Sequence, residues 1–252
     1  MIKKKSRDEI KLMKIAGDIV AQVHLAMRDA VKPGVSTKDL DDLAYEIIKS
    51  NKAIPTFKGY RGFPGTICAS INDEVVHGIP SDKRILKDGD IIAVDVGATF
   101  RGLVGDSAWT YPVGEISEDY KRLLEGTEKS LFAAIDKMRV NNTLNDVGGA
   151  IEDVAREYNL GIVRQYGGHG VGRNMHEEPF VFNYRTGDNT VLKAGMTIAI
   201  EPMLNLGGDA VYEHDDGWTV STLDKCASAH FEHTILVTDG DPIILTQLTQ
   251  KQ

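Results

Sequence analysis

The chain is poor in cysteine, has no long apolar run and is short of positive charge. Its two cysteines, Cys68 and Cys226, stand far apart and form no C-x-x-C pair. That spacing argues against a disulfide framework and makes a reducing cytoplasm the expected compartment. No apolar stretch approaches the length of a membrane span, so no membrane association is expected. The opening Met1-Ile2-Lys3-Lys4-Lys5-Ser6-Arg7 is charged and lacks the apolar core of a secretory signal. Lysine and arginine number 29 against 37 acidic residues, a net charge of −8, which argues against a broad nucleic-acid-binding surface. Lys3, Lys4, Lys5 and Arg7 form a small basic exception, read as a solvated cluster. Several signatures are missing too. The glycine-rich stretch near residue 168 lacks the third glycine of a dinucleotide fingerprint, and no Gly-Lys-Ser/Thr follows it. His176-Glu177-Glu178-Pro179 is not the H-E-x-x-H of a zincin.

What is present fits a soluble globular protein of 252 residues, 42% apolar and 26% charged. Ser6-Arg7-Asp8-Glu9 has capping-box spacing and predicts a long helix that Pro33-Gly34 ends. Ser36 or Thr37 caps a second helix with Leu40, Leu43, Ala44, Ile47 and Ile48 on one face. Residues 52–80 are rich in Gly and Pro and read as irregular structure with short strands. From about residue 116 the pattern restarts. A helix is predicted over Asp119–Val140 and another from about Asn145 to Glu157. Leu192-Lys193-Ala194-Gly195-Met196 echoes Leu86-Lys87-Asp88-Gly89-Asp90, and Glu201 echoes Asp95 at a spacing of 106 residues. Val76-His77-Gly78-Ile79-Pro80 is echoed by Met175-His176-Glu177-Glu178-Pro179. A repeat of this size suggests an α+β unit used twice, in halves of about 1–115 and 116–252 within a single domain, with Asp95 and Glu201 brought to one central site.

The strands between those helices carry misplaced charge. Ile91–Ala98 is apolar except for Asp95, and Leu103–Tyr111 is apolar around Asp106. Aspartate is depleted in strands, so both need a reason. With Thr99–Gly102 as the connection, Asp95 and Asp106 would sit directly opposite each other on one face of a hairpin. Facing carboxylates need either a shared proton or a cation between them, and hard oxygen donors suit a divalent ion. Glu201 closes another apolar strand. Glu232 lies in a further one, where period-two alternation sets His230 on its face and His233 on the other, so His233 is expected to be a packed histidine. His169, flanked by glycines in Tyr166-Gly167-Gly168-His169-Gly170-Val171-Gly172, is a ligand candidate because the glycines allow close backbone approach.

Asp95 and Asp106 eleven apart, G-H-G-V-G at His169, H-E-E-P at His176, I-E-P-M at Glu201 and F-E-H-T at Glu232 together resemble the type I methionine aminopeptidases. The resemblance spans essentially the whole chain. The wider pita-bread family also contains the proline-specific peptidases. The resemblance implies an α/β (α+β) pita-bread fold with two pseudo-symmetric halves around a central curved antiparallel sheet. It implies a metal-dependent aminopeptidase that removes the initiator methionine from nascent proteins, using a metal-bridging water. Two divalent cations (Co, Mn, Fe or Zn) would be held by Asp95, Asp106, His169, Glu201 and Glu232, with Asp106 and Glu232 bridging. Glu201 would also move a proton, His176 would stabilise the oxyanion, and His77 would contact the substrate near the scissile amide. Phe57, Tyr60, Phe63, Cys68, Met175 and Trp218 match the methionine pocket. Many relatives carry Cys in place of Phe57 and an aromatic in place of Met175, which alters the pocket expected here. By role, the partners implied are peptide or nascent-protein N-termini and, transiently, the ribosome. The chain is expected to act as a monomer with no specific nucleic acid. Rival readings are an Xaa-Pro peptidase and a non-catalytic binding module on the same fold.

Overall fold

The computed structural model describes residues 2–248. Four helices begin as the capping residues dictate. α1 spans Arg7–Ala30 and α2 Thr37–Ser50; Ser6 with Glu9 and Ser36 with Asp39 close capping boxes. α3 spans Glu118–Lys137 behind Ser117, and α4 spans Leu144–Glu157 behind a Thr143–Asp146 capping box. α3 therefore stops three residues before the predicted Val140. The chain turns through Asn141, at a φ of 75°, into α4.

Five strands fall before α3: β1 (Ile54–Pro55), β2 (Ile67–Ile71), β3 (Glu74–Val76), β4 (Ile91–Phe100) and β5 (Leu103–Pro112). Ten short ones follow α4. They are β6 (Gly161–Ile162), β7 (Gly168–Gly170), β8 (Glu177–Val181), β9 (Thr197–Ile200) and β10 (Met203–Asn205), then β11 (Val211–Glu213), β12 (Val220–Thr222), β13 (Ser228–His230), β14 (His233–Leu236) and β15 (Ile243–Ile244). All their pairings are antiparallel. They form four ladders: β1-β4-β2 with β5 on β4, β13-β10-β6, β11-β12-β3, and β15-β14-β9-β7-β8.

Side chains bridge where backbone ladders stop. Thr234 Oγ1 donates to the Asp106 carbonyl at 2.8 Å, and Ser107 Oγ donates to the Glu232 carbonyl at 2.6 Å. Thr110 Oγ1 donates to the His230 carbonyl at 2.8 Å, and the Glu232 N–H donates to the Ala108 carbonyl at 2.8 Å. These bonds seam β5 to the β13–β14 segment and satisfy buried polar groups that neither ladder pairs.

The sequence echo has a structural counterpart. An isolated bridge joins Ser36 to Ile85 before β4, and another joins Thr143 to Val191 before β9. Gly89 and Gly195, the echoed turn glycines, take φ values of 90° and 91°. α1 packs on β4 and β5, and α2 packs on α1, β1 and β2, over a core of Ile19, Val23, Ile48, Ile67 and Val94. α3 covers β9, β10 and β13, and α4 packs on α3 and β6, over Leu123, Ile151, Ile198 and Phe231. Trp109 touches both cores. Among the described residues, no helix is long and apolar enough to cross a membrane.

Two expectations are corrected. The first is the hairpin register. Phe100 pairs with Leu103, so the connection is the two-residue Arg101-Gly102, with φ values of 48° and 81°. Two positive φ values are what the tight hairpin turn favoured by strand twist requires. Asp95 therefore lies opposite Ala108, and Asp106 opposite Gly97. The two carboxylates share a face but sit diagonally, two positions out of step. The second concerns Lys5, which the sequence places in a solvated basic cluster. It is buried, and its ammonium donates to Glu177 at 2.8 Å while its backbone N–H donates to the Gly195 carbonyl at 2.7 Å. Glu177 needs a countercharge because it is enclosed, and the N-terminal segment supplies it.

Candidate metal centre

The two ladders and the seam between them present acids to one point. β4 contributes Asp95 and β5 contributes Asp106. Glu201 follows β9, and Glu232 lies in the two-residue break between β13 and β14. The β9–β14 register pairs His233 with Ile200, so one further step brings Glu232 level with Glu201. His230 and Glu232 both line the cavity, while His233 turns away, bonds Thr246 Oγ1 at 2.8 Å and packs on Trp109.

His169 is the middle residue of β7. A Cβ at Gly168 would lie 2.3 Å from the Ala199 carbonyl oxygen, and one at Gly170 2.2 Å from the Glu178 carbonyl oxygen. The glycines are thus required by backbone proximity to β9 and β8. His169 Nδ1–H donates to the Gly170 carbonyl at 2.9 Å, which leaves the Nε2 lone pair for the centre. Nε2 is 3.6 Å from Asp106 Oδ2 and 3.4 Å from Glu201 Oε1. Asp106, His169 and Glu232 each offer a donor atom within 4.8 Å of the others.

The electrostatics of this arrangement are unbalanced. Burial raises the pKa of Asp95, Asp106, Glu201 and Glu232, and for the two aspartates and Glu232 the charge of neighbouring acids raises it further. Burial holds His169 down to about 3, with His176 adding to the effect, so its ring is neutral. Asp95 Oδ1, Asp106 Oδ1 and Glu232 Oε1 are buried with no hydrogen-bond partner. Orphaned carboxylate oxygens around a neutral imidazole fit a divalent cation: oxygen-rich donors, one nitrogen, and charge to offset.

The acids form the floor of a cavity of about 420 Å³. Every side chain nominated from sequence lines it: Asp95, Asp106, His169, Glu201 and Glu232; His77 and His176; Phe57, Tyr60, Phe63, Cys68, Met175 and Trp218. Cys68 on β2 pairs with Asp95 and is a free thiol, its pKa raised by burial and then by the nearby acids. Phe57 lies against Gly97, where a Cβ would come within 2.7 Å of its ring. Phe63 and Trp218 meet edge to face at 5.1 Å. His77 sits just after β3 at a φ of 61°, a strained backbone for a side chain of this size. Burial lowers its pKa to about 4, so it too is neutral. Tyr60 Oη lies 2.9 Å from His176 Nδ1; when the hydroxyl donates, the His176 proton sits on Nε2.

Sequence reasoning did not nominate Arg61, Val76, Gln165, Tyr166, Gly167 or Phe180, which also line the cavity, and left His230 open. Tyr166 and Gly167 were visible in the glycine-rich stretch. Nothing local marks Gln165 or Phe180, because folding alone brings them to the mouth.

Comparison with known proteins agrees with this geometry. The profile of Metallopeptidase family M24 matches residues 11–239. Methionine aminopeptidase 1 of Bacillus subtilis is 48% identical over 249 residues, covering 98% of this chain and 100% of that protein. Methionine aminopeptidase of Escherichia coli K12 is 41% identical over 244 residues, covering 96% and 92%. A crystal structure of methionine aminopeptidase from Thermotoga maritima superposes with a TM-score of 0.96 at 44% identity, covering 98% of this chain and all of that one. Prolidase from Pyrococcus horikoshii superposes with a TM-score of 0.77 at 25% identity, and the match covers 64% of its length.

Proposed function

The chain belongs to the type I methionine aminopeptidases of metallopeptidase family M24, and we propose that it binds two divalent cations through Asp95, Asp106, His169, Glu201 and Glu232 to release initiator methionine. The observation that carries this reading is the set of buried, partnerless carboxylate oxygens around His169 Nε2 at the floor of an apolar cavity. A proline-specific peptidase of the same fold is not favoured, since the methionine aminopeptidases match at 41% to 48% identity and the prolidase at 25%.

When bound, such cations (Co, Mn, Fe or Zn) lower the pKa of a water and polarise the substrate carbonyl. The chain's own groups do the rest. Glu201 takes the proton of the attacking water on its carboxylate and returns it to the leaving amine. His176, with Nδ1 held by Tyr60, donates from Nε2–H to the developing oxyanion. Partial burial and then the Arg61 charge lower its pKa, which keeps it a neutral donor. His77 faces the scissile amide. Phe57, Tyr60, Phe63, Cys68, Met175 and Trp218 surround the methionine thioether, whose flexibility and polarisability suit an aromatic-lined pocket. The two halves, about 1–115 and 116–252, act as one catalytic domain whose outermost residues, 1 and 249–252, lie outside the described ones. The enzyme works as a cytoplasmic monomer on nascent chains leaving the ribosome.

The test is release of the first residue from Met-Ala-Ser and Ala-Pro-Ser, using metal-stripped and Mn- or Co-reconstituted protein. Metal-dependent release of Met alone is expected; cleavage of only the proline peptide would reassign the specificity. Glu201→Gln should abolish turnover while the circular dichroism spectrum stays native. Turnover like wild type in that variant would remove the proton-transfer role.

A further inference from the structure

We propose that His230 is a metal ligand, a second imidazole facing Glu201 from the side opposite His169. The inference rests on the metal-binding reading above and adds a donor to it.

His230 ends β13, where its backbone is clamped. Its N–H donates to Thr110 Oγ1 at 2.9 Å, and Thr110 Oγ1 donates to its carbonyl at 2.8 Å. The residue is 2% exposed and lines the same cavity as the acids. Its Nε2 is buried with no hydrogen-bond partner. An orphaned ring nitrogen is costly in a folded interior and needs an occupant.

The geometry around Glu201 names that occupant. Glu201 Oε1 is 3.4 Å from His169 Nε2, and Glu201 Oε2 is 3.6 Å from His230 Nε2. One carboxylate thus lies between two imidazoles at nearly equal spacing. A hydrogen bond would close the second contact to about 2.7–3.2 Å. Two donors on one cation with bonds of about 2.1 Å stand about 3.0–3.4 Å apart, close to both observed separations. β13 packs against β4, the strand that carries Asp95. His230 would therefore serve the cation on the Asp95 side, which otherwise has only oxygen donors. An added nitrogen shifts that position away from Mn and toward Co and Zn.

The experiment uses the whole chain, stripped with chelator and titrated with Co(II). Two sets of hyperfine-shifted imidazole ring protons are expected in the proton NMR spectrum of the wild type, and one set in His230→Gln. Calorimetric titration of His230→Gln should show one of the two binding events weakened by about 10- to 100-fold, and the Co-over-Mn preference of the protein should shrink. Two bound cations with a single imidazole set in the wild type would overturn the assignment of His230 alone, whether or not the variant folds. Unchanged affinities in a folded His230→Gln would do the same. A wild type that takes up no cation would overturn the metal-binding reading itself.

Discussion

Asp95 and Asp106 announce themselves because each interrupts an otherwise apolar strand. Their relative position does not, because a two-residue slip in the turn preserves the face and changes the partner. Gly97 is the residue opposite Asp106, and its missing side chain makes room for the Phe57 ring. Gly97→Ala should push that ring into the cavity. KM for Met-Ala-Ser is expected to rise several-fold with Co(II) affinity unchanged; an unaltered KM would show that the ring has room to move elsewhere. His176→Ala tests the oxyanion role. Loss of one preorganised donor should lower kcat by about 10²- to 10³-fold with little change in KM, as read from steady-state peptide hydrolysis. His176 was legible through its echo of His77, whereas the Tyr60 hydroxyl that sets its tautomer comes from far away in the chain.

At the scale of elements, the helices follow from caps and periodicity to within a few residues. The N-terminal segment does not, because a lysine in a basic run looks solvated until its partner is known. Burial raises the pKa of Glu177, but Lys5 and the N–H groups of Asn174 and Arg173 lower it further, so the carboxylate stays below its ordinary range. The N-terminal segment thus ties down the loop that carries Met175 and His176. Lys5→Met leaves Glu177 enclosed without its cation and should cost about 3–5 kcal/mol in urea unfolding. Adding Glu177→Gln should recover part of that loss; additivity of the two changes would mean that the pair is not coupled.

For the whole molecule, α1 is locked to the sheet by contacts as well as by its apolar face. His24 on that helix donates from Nε2 to the Ser107 carbonyl at 3.0 Å, its Nδ1 lies 2.8 Å from Tyr111 Oη, and that hydroxyl donates to the His24 carbonyl at 3.1 Å. Burial lowers its pKa from 6.5 to about 4, partly opposed by the Ser107 bond. Because the folded value lies below the unfolded one, the unfolded chain binds the extra proton first. This contribution is complete above about pH 6.5 and is lost as the pH falls toward 4. The residue as a whole is half-buried, so the effect is discounted to on the order of 1–2 kcal/mol. The pH 7.5 minus pH 5 difference in unfolding free energy should shrink by that amount in His24→Gln. Metal acts on the whole fold as well. Saturating Co(II) should raise Tm of the stripped protein, by about 2.7 kcal/mol of stabilisation at a hundredfold excess over Kd. A Tm indifferent to metal would mean that the acids are not its ligands.

The sequence by itself determined the helices, the doubled α+β pattern, the unusual strand acids and the histidine among glycines. Each is a local statement about caps, period or a side chain out of place. Only the tertiary structure decided which of those residues meet. The Arg101-Gly102 turn set the hairpin register, the β13–β14 break let Glu232 join Glu201, and close packing at Gly168 and Gly170 delivered His169. Spacing along the chain specifies the face a side chain takes, but distance between faces depends on how separate ladders are seamed together. That seam also left His230 buried beside Glu201 with a ring nitrogen unpaired.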